Sequence, residues 1–74
     1  MATVVLRVRL VDGDRLDITY DAPGLADADD VVEQAVTALA DSSGSIRALH
    51  GERTFILYGR GVAALEVAPR GAVL

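Results

Sequence analysis

The sequence VVLRVRLVDGDRLDITYD, residues 4–21, alternates apolar and polar residues on either side of an Asp-Gly step. Alternation with a period of two is the pattern of a strand with one buried face, and Asp-Gly between two such runs favours a hairpin. A three-residue loop at 12–14 would place Arg9 opposite Asp17, a favourable cross-strand pair of opposite charges. The sequence therefore predicts a hairpin over about residues 3–21.

A helix is predicted after the hairpin, over about residues 27–42. Asp27 is a good N-cap, and the acidic residues that follow it place negative charge at the positive end of the helix dipole. Gly44 is predicted to end the helix in the left-handed conformation that glycine adopts readily. The apolar residues that recur at helical spacing and form the predicted buried stripe are Leu25, Ala28, Val32, Ala35, Val36 and Leu39.

Three short strands are predicted at about residues 45–49, 53–58 and 62–68, followed by a tail over residues 69–74. The segment GRG, residues 59–61, is interpreted as the bend of a hairpin joining the last two strands, because glycine supplies turn conformations and arginine keeps the tip in water. The apolar tail leaves three arrangements open: packing on its own domain, on a neighbouring sheet edge or across a partner subunit.

These elements predict a single α+β domain, residues 1–74, with the order β-β-α-β-β-β and one helix packed on one face of an antiparallel or mixed sheet. This order is similar to the β-grasp plan of ubiquitin-like proteins, a resemblance in topology that carries no residue motif. The conjugating members of that family end in Gly-Gly, whereas this chain ends in Ala-Val-Leu. The resemblance therefore implies no carrier or modifier activity.

Composition narrows the classes of function. The 74 residues include no cysteine and one histidine, His50, so no disulfide, metal site or cofactor is predicted. A domain this small often depends on self-association when disulfides and metal sites are missing.

No apolar run approaches the roughly 20 residues that cross a bilayer, and arginines interrupt the N-terminal apolar segment, unlike in a secretory signal. The chain is predicted to be cytoplasmic, and its basic residues, all arginine, indicate a GC-rich bacterial genome.

Catalytic chemistry is not predicted. His50 has no serine or cysteine partner at a recognisable spacing. The acidic cluster of residues 27–33 is better explained by helix capping than by a cation site, and no phosphate-binding glycine motif is present. The chain is therefore predicted not to be an enzyme, with no catalytic, cofactor-binding or metal-binding residue.

The predicted outer face of the later strands is apolar, although no helix covers it. Its members form the candidate self-association face: Leu49, Ile56, Tyr58, Val62 and Ala64. Three residues form the candidate rim of that face: Arg47, Thr54 and Glu66. Contiguous exposed apolar patches usually mark a contact surface. We therefore expect a homodimer or higher homo-oligomer, and a non-catalytic accessory module that binds another protein.

The alternative is a small nucleic-acid-binding module. Its contacts would come from arginines of the outer face, namely Arg7, Arg9, Arg15 and Arg47, with Arg60 as a further anion-contact candidate. The Arg-Gly step at residues 60–61 is also similar, over a short stretch, to the second signature of Sm-like RNA-binding proteins, whose N-terminal helix and acidic-Asn loop this chain lacks. A net charge of −4 disfavours nucleic acid, because proteins that bind it concentrate positive charge.

Overall fold

The first two strands, β1 (Thr3–Leu10) and β2 (Arg15–Asp21), form the predicted antiparallel hairpin. The computed structural model describes residues 2–74, so Met1, the first residue of the predicted domain, lies outside the described residues. Buried residues alternate along both strands. The period-two pattern therefore located this hairpin and its buried face correctly.

The predicted register of the hairpin was wrong by two residues. Asp17 lies opposite Arg7, not Arg9, and Arg9 lies opposite Arg15. The Leu10 N–H donates to the Asp14 carbonyl at 2.8 Å, and the Gly13 N–H donates to the Leu10 carbonyl at 3.0 Å. The loop still has three residues, but they are 11–13, and Gly13 takes the left-handed third position with φ 98°. A two-residue shift leaves every side chain on its predicted face, because side chains alternate with the same period.

The helix, α1 (Ala28–Ala40), begins after the predicted N-cap. The Asp27 carboxylate accepts a hydrogen bond from the Asp29 N–H at 2.9 Å. The residues that α1 buries are Val31, Ala35 and Leu39, whereas Ala28 and Val36 of the predicted stripe are exposed. The buried stripe is therefore rotated from its predicted position, and Val31 takes the central place.

The helix does not end in a left-handed glycine, as was predicted for Gly44. Its C-cap is Asp41, whose carboxylate accepts hydrogen bonds from the Ser43 N–H at 2.9 Å and the Ser43 hydroxyl at 2.8 Å. These bonds lower the pKa of the Asp41 carboxyl. Gly44 is needed for a different reason, because a Cβ there would overlap the carbonyl oxygen of Ala38.

Three further strands complete the sheet: β3 (Ser45–His50), β4 (Arg53–Tyr58) and β5 (Val62–Val67). The strand order is β4-β3-β2-β1-β5, and each pairing within residues 2–74 is antiparallel, which decides between the antiparallel and mixed alternatives. The first and last strands of the chain, β1 and β5, are antiparallel neighbours in this order. The fold is an α+β domain with one helix packed against a five-stranded antiparallel sheet.

The predicted hairpin between β4 and β5 does not form. These strands are the two opposite edges of the sheet, and a three-residue 3-10 turn, Gly59–Gly61, joins them. In a flat five-stranded sheet the edges would lie about 19 Å apart, whereas the four Cα steps from Tyr58 to Val62 span at most about 15 Å. The sheet must therefore curl so that its edges approach each other at this turn.

The core lies between α1 and one face of the sheet, here called the core face. Its largest fully buried side chains are Leu6, Ile18, Val8 and Val31. From β3 and β4 the core takes Ile46, Ala48 and Leu57, all buried. The opposite side of the sheet is called the outer face. No helix among residues 2–74 is long and apolar enough to cross a membrane.

Candidate interaction surface

The C-terminal tail lies on its own domain, which decides among the three arrangements left open by the sequence. Pro69 is buried, and the Val73 N–H donates to the Asp17 carboxylate at 3.0 Å. Arg7 donates to the carbonyl of Arg70 at 3.3 Å. Because Arg7 and Asp17 are on the outer face of β1 and β2, the tail lies over the middle of that half of the outer face.

An ion pair holds the tail in place. Arg7 Nε lies 2.8 Å from Asp17 Oδ1, and the two side chains are only 15% and 11% exposed. The hydrogen bond from Arg7, followed by the one from the Val73 N–H, lowers the pKa of the Asp17 carboxyl to about 2. The Nδ1–H of His50 donates to the Asp17 backbone carbonyl at 2.7 Å, so β3 is also tied to this cluster. Arg7 and Asp17 are therefore occupied by contacts within the chain itself, whereas Arg9 and Arg15 on the same two strands are exposed.

The other half of the outer face, on β3 and β4, carries an exposed apolar surface. Leu49, Ile56 and Tyr58 are 45%, 49% and 48% exposed. The register places Thr54 opposite Leu49 and Arg47 opposite Ile56, so these side chains are neighbours on two paired strands. We call Leu49, Ile56 and Tyr58 the outer patch, with Arg47 and Thr54 as its rim. A groove of about 400 Å³ beside it is lined in part by Thr19, Arg47 and Leu49.

Two predicted members of the self-association face do not belong to the outer patch. Val62 packs against the core, because the register of β1 and β5 shifts between Arg9 and Leu10 and places Val62 opposite Leu10. Ala64 lies opposite Arg9 on β5, at the far edge of the sheet from β4. The predicted rim residue Glu66 is also on β5, opposite Arg7. The predicted face is therefore divided, because β5 pairs with β1 and not with β4.

The arginines of the nucleic-acid alternative do not form one stripe. Arg7 is paired with Asp17 beneath the tail, Arg9 lies opposite Arg15, and Arg47 is separate from them on β3. The guanidinium group of Arg60 lies 5.0 Å from the centre of the Tyr58 ring, a cation–π contact. Of the aromatic residues that could stack on a base, Tyr20 is buried and Phe55 is half-buried, so Tyr58 is the exposed one.

No group of three or more histidine and acidic side chains among residues 2–74 is placed to hold a metal ion. Comparison of the chain with protein-family models, with curated proteins and with solved structures finds no match.

Proposed function

We propose that this protein is a non-catalytic protein-interaction module that self-associates as a two-fold dimer through the outer patch. One observation supports this most directly. Leu49, Ile56 and Tyr58 are about half exposed on the same face of two paired strands, in a sheet whose other half carries the chain's own tail over Arg7 and Asp17. Large apolar side chains grouped in this way on a small domain are typical of a contact surface.

The expected gain from covering the outer patch is large relative to the stability of a small domain. Burying a Leu or Ile side chain completely stabilises by about 1.5–3 kcal/mol relative to full exposure. The half-exposed side chains of the outer patch leave about half of that gain unused in a monomer. In a two-fold contact each residue is used twice, once from each copy. Arg47 lies opposite Ile56 and Thr54 opposite Leu49, so these two polar residues stand among the apolar ones and would supply polar contacts within such an interface.

The test is molar mass by light scattering over about a hundredfold range of protein concentration. We expect a species of twice the 7.8 kDa of one chain, with dissociation at the lowest concentrations. Ile56→Asp or Tyr58→Asp should give the mass of one chain while the helical circular dichroism is unchanged, because a buried unpaired carboxylate at the interface is costly. Val11→Asp is the matched control, since Val11 is exposed in the hairpin loop. Retention of the dimer mass by both outer-patch variants would refute the proposal.

A second contact, with another protein, is proposed on the helix. Asp29, Asp30 and Glu33 are exposed on α1 and give it an acidic surface, which would attract a basic partner by long-range steering more than by burial.

Nucleic-acid binding remains the second candidate function, and one observation favours it. Arg9 and Arg15 are directly opposite each other on the outer face, a like-charge pair that a phosphate group would stabilise. Salt-sensitive binding of mixed oligonucleotides at low ionic strength would support this candidate, and no binding at low salt would exclude it.

A further inference from the structure

The free edge of β4 exposes the backbone groups of alternate residues. The Gly59 N–H donates to the Gly44 carbonyl at 2.9 Å, which makes these two residues a hydrogen-bonded pair at the end of the β3–β4 ladder. In an antiparallel ladder hydrogen-bonded and non-bonded pairs alternate. The backbone groups of Phe55 and Leu57 therefore point toward β3, and those of Thr54, Ile56 and Tyr58 point away from the sheet.

The edge of β4 also has little of the usual protection against pairing. The strand RTFILY contains no proline, and Arg53 at its start is its one charged residue. Threonine, isoleucine and tyrosine, whose backbone groups face outward, all favour β-structure. Exposed edges are usually blocked by proline, by inward-pointing charges or by bulges. In the described part of the chain, no strand or helix pairs with this side of β4.

We propose that β4 pairs antiparallel with β4 of a second copy, around a two-fold axis that passes through Ile56. This inference rests on the proposed self-association. Ile56 of one chain then lies opposite Ile56 of the other, and Thr54 of each chain lies opposite Tyr58 of the other. The outward N–H and C=O groups of these three residues form the hydrogen bonds between the two strands. Directly opposite residues share one face of a sheet and their side chains contact each other. The two outer patches therefore meet at the seam, where Ile56 and Tyr58 of each chain are partly covered by Ile56 and Thr54 of the other.

The other edge of the sheet does not fit β4 in the same way. The Ala68 N–H donates to the Val5 carbonyl at 2.8 Å, so alternation makes residues 63, 65 and 67 the ones whose backbone groups face outward on β5. Their side chains are on the core face, and Leu65 packs against the core. Antiparallel pairing of β4 with β5 of another copy would place core-face residues opposite outer-face residues. A second β4 is the partner that keeps the faces aligned.

The test uses a change that removes one outward N–H and leaves the outer patch intact. Thr54→Pro deletes a donor that faces away from β3, so the β3–β4 ladder is retained, and proline is tolerated at such edge positions. It removes two hydrogen bonds from the symmetric dimer, and we expect the dissociation constant to rise by about tenfold or more. Thr54→Val is the matched control, since it keeps the N–H and the branched side chain, and it should retain the dimer.

Amide hydrogen exchange supplies a second readout that does not depend on a variant. The Thr54, Ile56 and Tyr58 amides should be protected at concentrations where the dimer forms, and should exchange rapidly in the Tyr58→Asp variant. Two results together would overturn edge pairing: fast exchange of these three amides in the dimer, and a dimer that Thr54→Pro does not weaken. The outer-patch proposal would still stand. A wild-type chain with the mass of a monomer at every concentration would overturn both.

Discussion

At the scale of single residues, Asp17 connects β2 to three other parts of the chain. Its carboxylate binds Arg7 of β1 and the N–H of Val73 in the tail, and its backbone carbonyl binds His50 of β3. A neutral carboxyl group would lose the charge that strengthens the first two of these bonds. The protonation state of Asp17 is therefore linked to how firmly the tail lies on the sheet.

This linkage predicts a specific loss of stability in acid. The pKa of the Asp17 carboxyl is about 2 in the folded chain, below its ordinary value of 3.8. The ionised group therefore favours the folded state above about pH 4, and that contribution is lost as the pH falls from about 4 to about 2. Asp17→Asn should flatten the pH dependence of the unfolding free energy in this window, measured by urea unfolding. Asp21→Asn, at an exposed position of the same strand, is the matched control, and equal curves for both variants would contradict the prediction.

Individual residues also show where sequence reasoning succeeds and where it does not. Asp27 was identified as the N-cap because capping depends on groups within a few residues of each other. The Arg9–Asp17 pair was wrong, although the signal for the correct register is local. Glycine takes the third position of a three-residue hairpin loop, and Gly13 in that position fixes the loop at residues 11–13.

At the scale of elements, the end of α1 and the 3-10 turn form one closely packed junction. A Cβ at Gly59 would overlap the carbonyl oxygens of Leu39 and Asp41, whereas a Cβ at Gly61 would meet open space. Packing therefore requires glycine at position 59 but not at position 61, although both residues flank Arg60. Gly59 permits the end of α1 to approach the 3-10 turn closely. This turn leads the chain from one edge of the sheet to the other.

The pair of glycines gives a matched experiment. Gly59→Ala should destabilise the domain by roughly 1–3 kcal/mol or more, because overpacking against backbone atoms cannot be relieved by a rotamer change. Gly61→Ala should be neutral or stabilise by up to about 1 kcal/mol, since it restricts only the unfolded chain. Thermal and urea unfolding measure both changes. Similar effects at the two positions would show that the junction is looser than the structure indicates.

The strands themselves were predictable from local periodicity, but the partner of β5 was not. Val62 and Ala64 continue the same apolar alternation whether β5 pairs with β4 or with β1, because periodicity defines faces and not neighbours. The short turn at residues 59–61 would also suit a β4–β5 hairpin, but β5 instead occupies the free edge of β1. Periodicity therefore placed Leu49, Ile56 and Tyr58 correctly outside the core. It misplaced Val62, whose position depends on the strand beside it.

At the scale of the whole molecule, self-association should appear as concentration-dependent stability. A partner that binds only the folded chain raises the free energy of unfolding by mass action, by about 2.7 kcal/mol when its concentration is a hundred times the dissociation constant. The thermal midpoint of the wild-type protein should therefore rise with protein concentration. That of Tyr58→Asp should not change, and a wild-type midpoint that is equally constant would argue against a folded-state dimer.

The position of β1 in the sheet also governs the order in which the strands of one chain can pair during folding. Leu6 pairs with Ile18 in the adjacent strand and with Val67 near the other end of the chain. The first pairing closes a short loop, whereas the second encloses nearly the whole chain and carries a larger entropic cost. The hairpin can form early by itself, but β1 keeps an open side until β5 arrives. The completion of folding therefore depends on the last strand, and a chain interrupted before it would expose the backbone of the first.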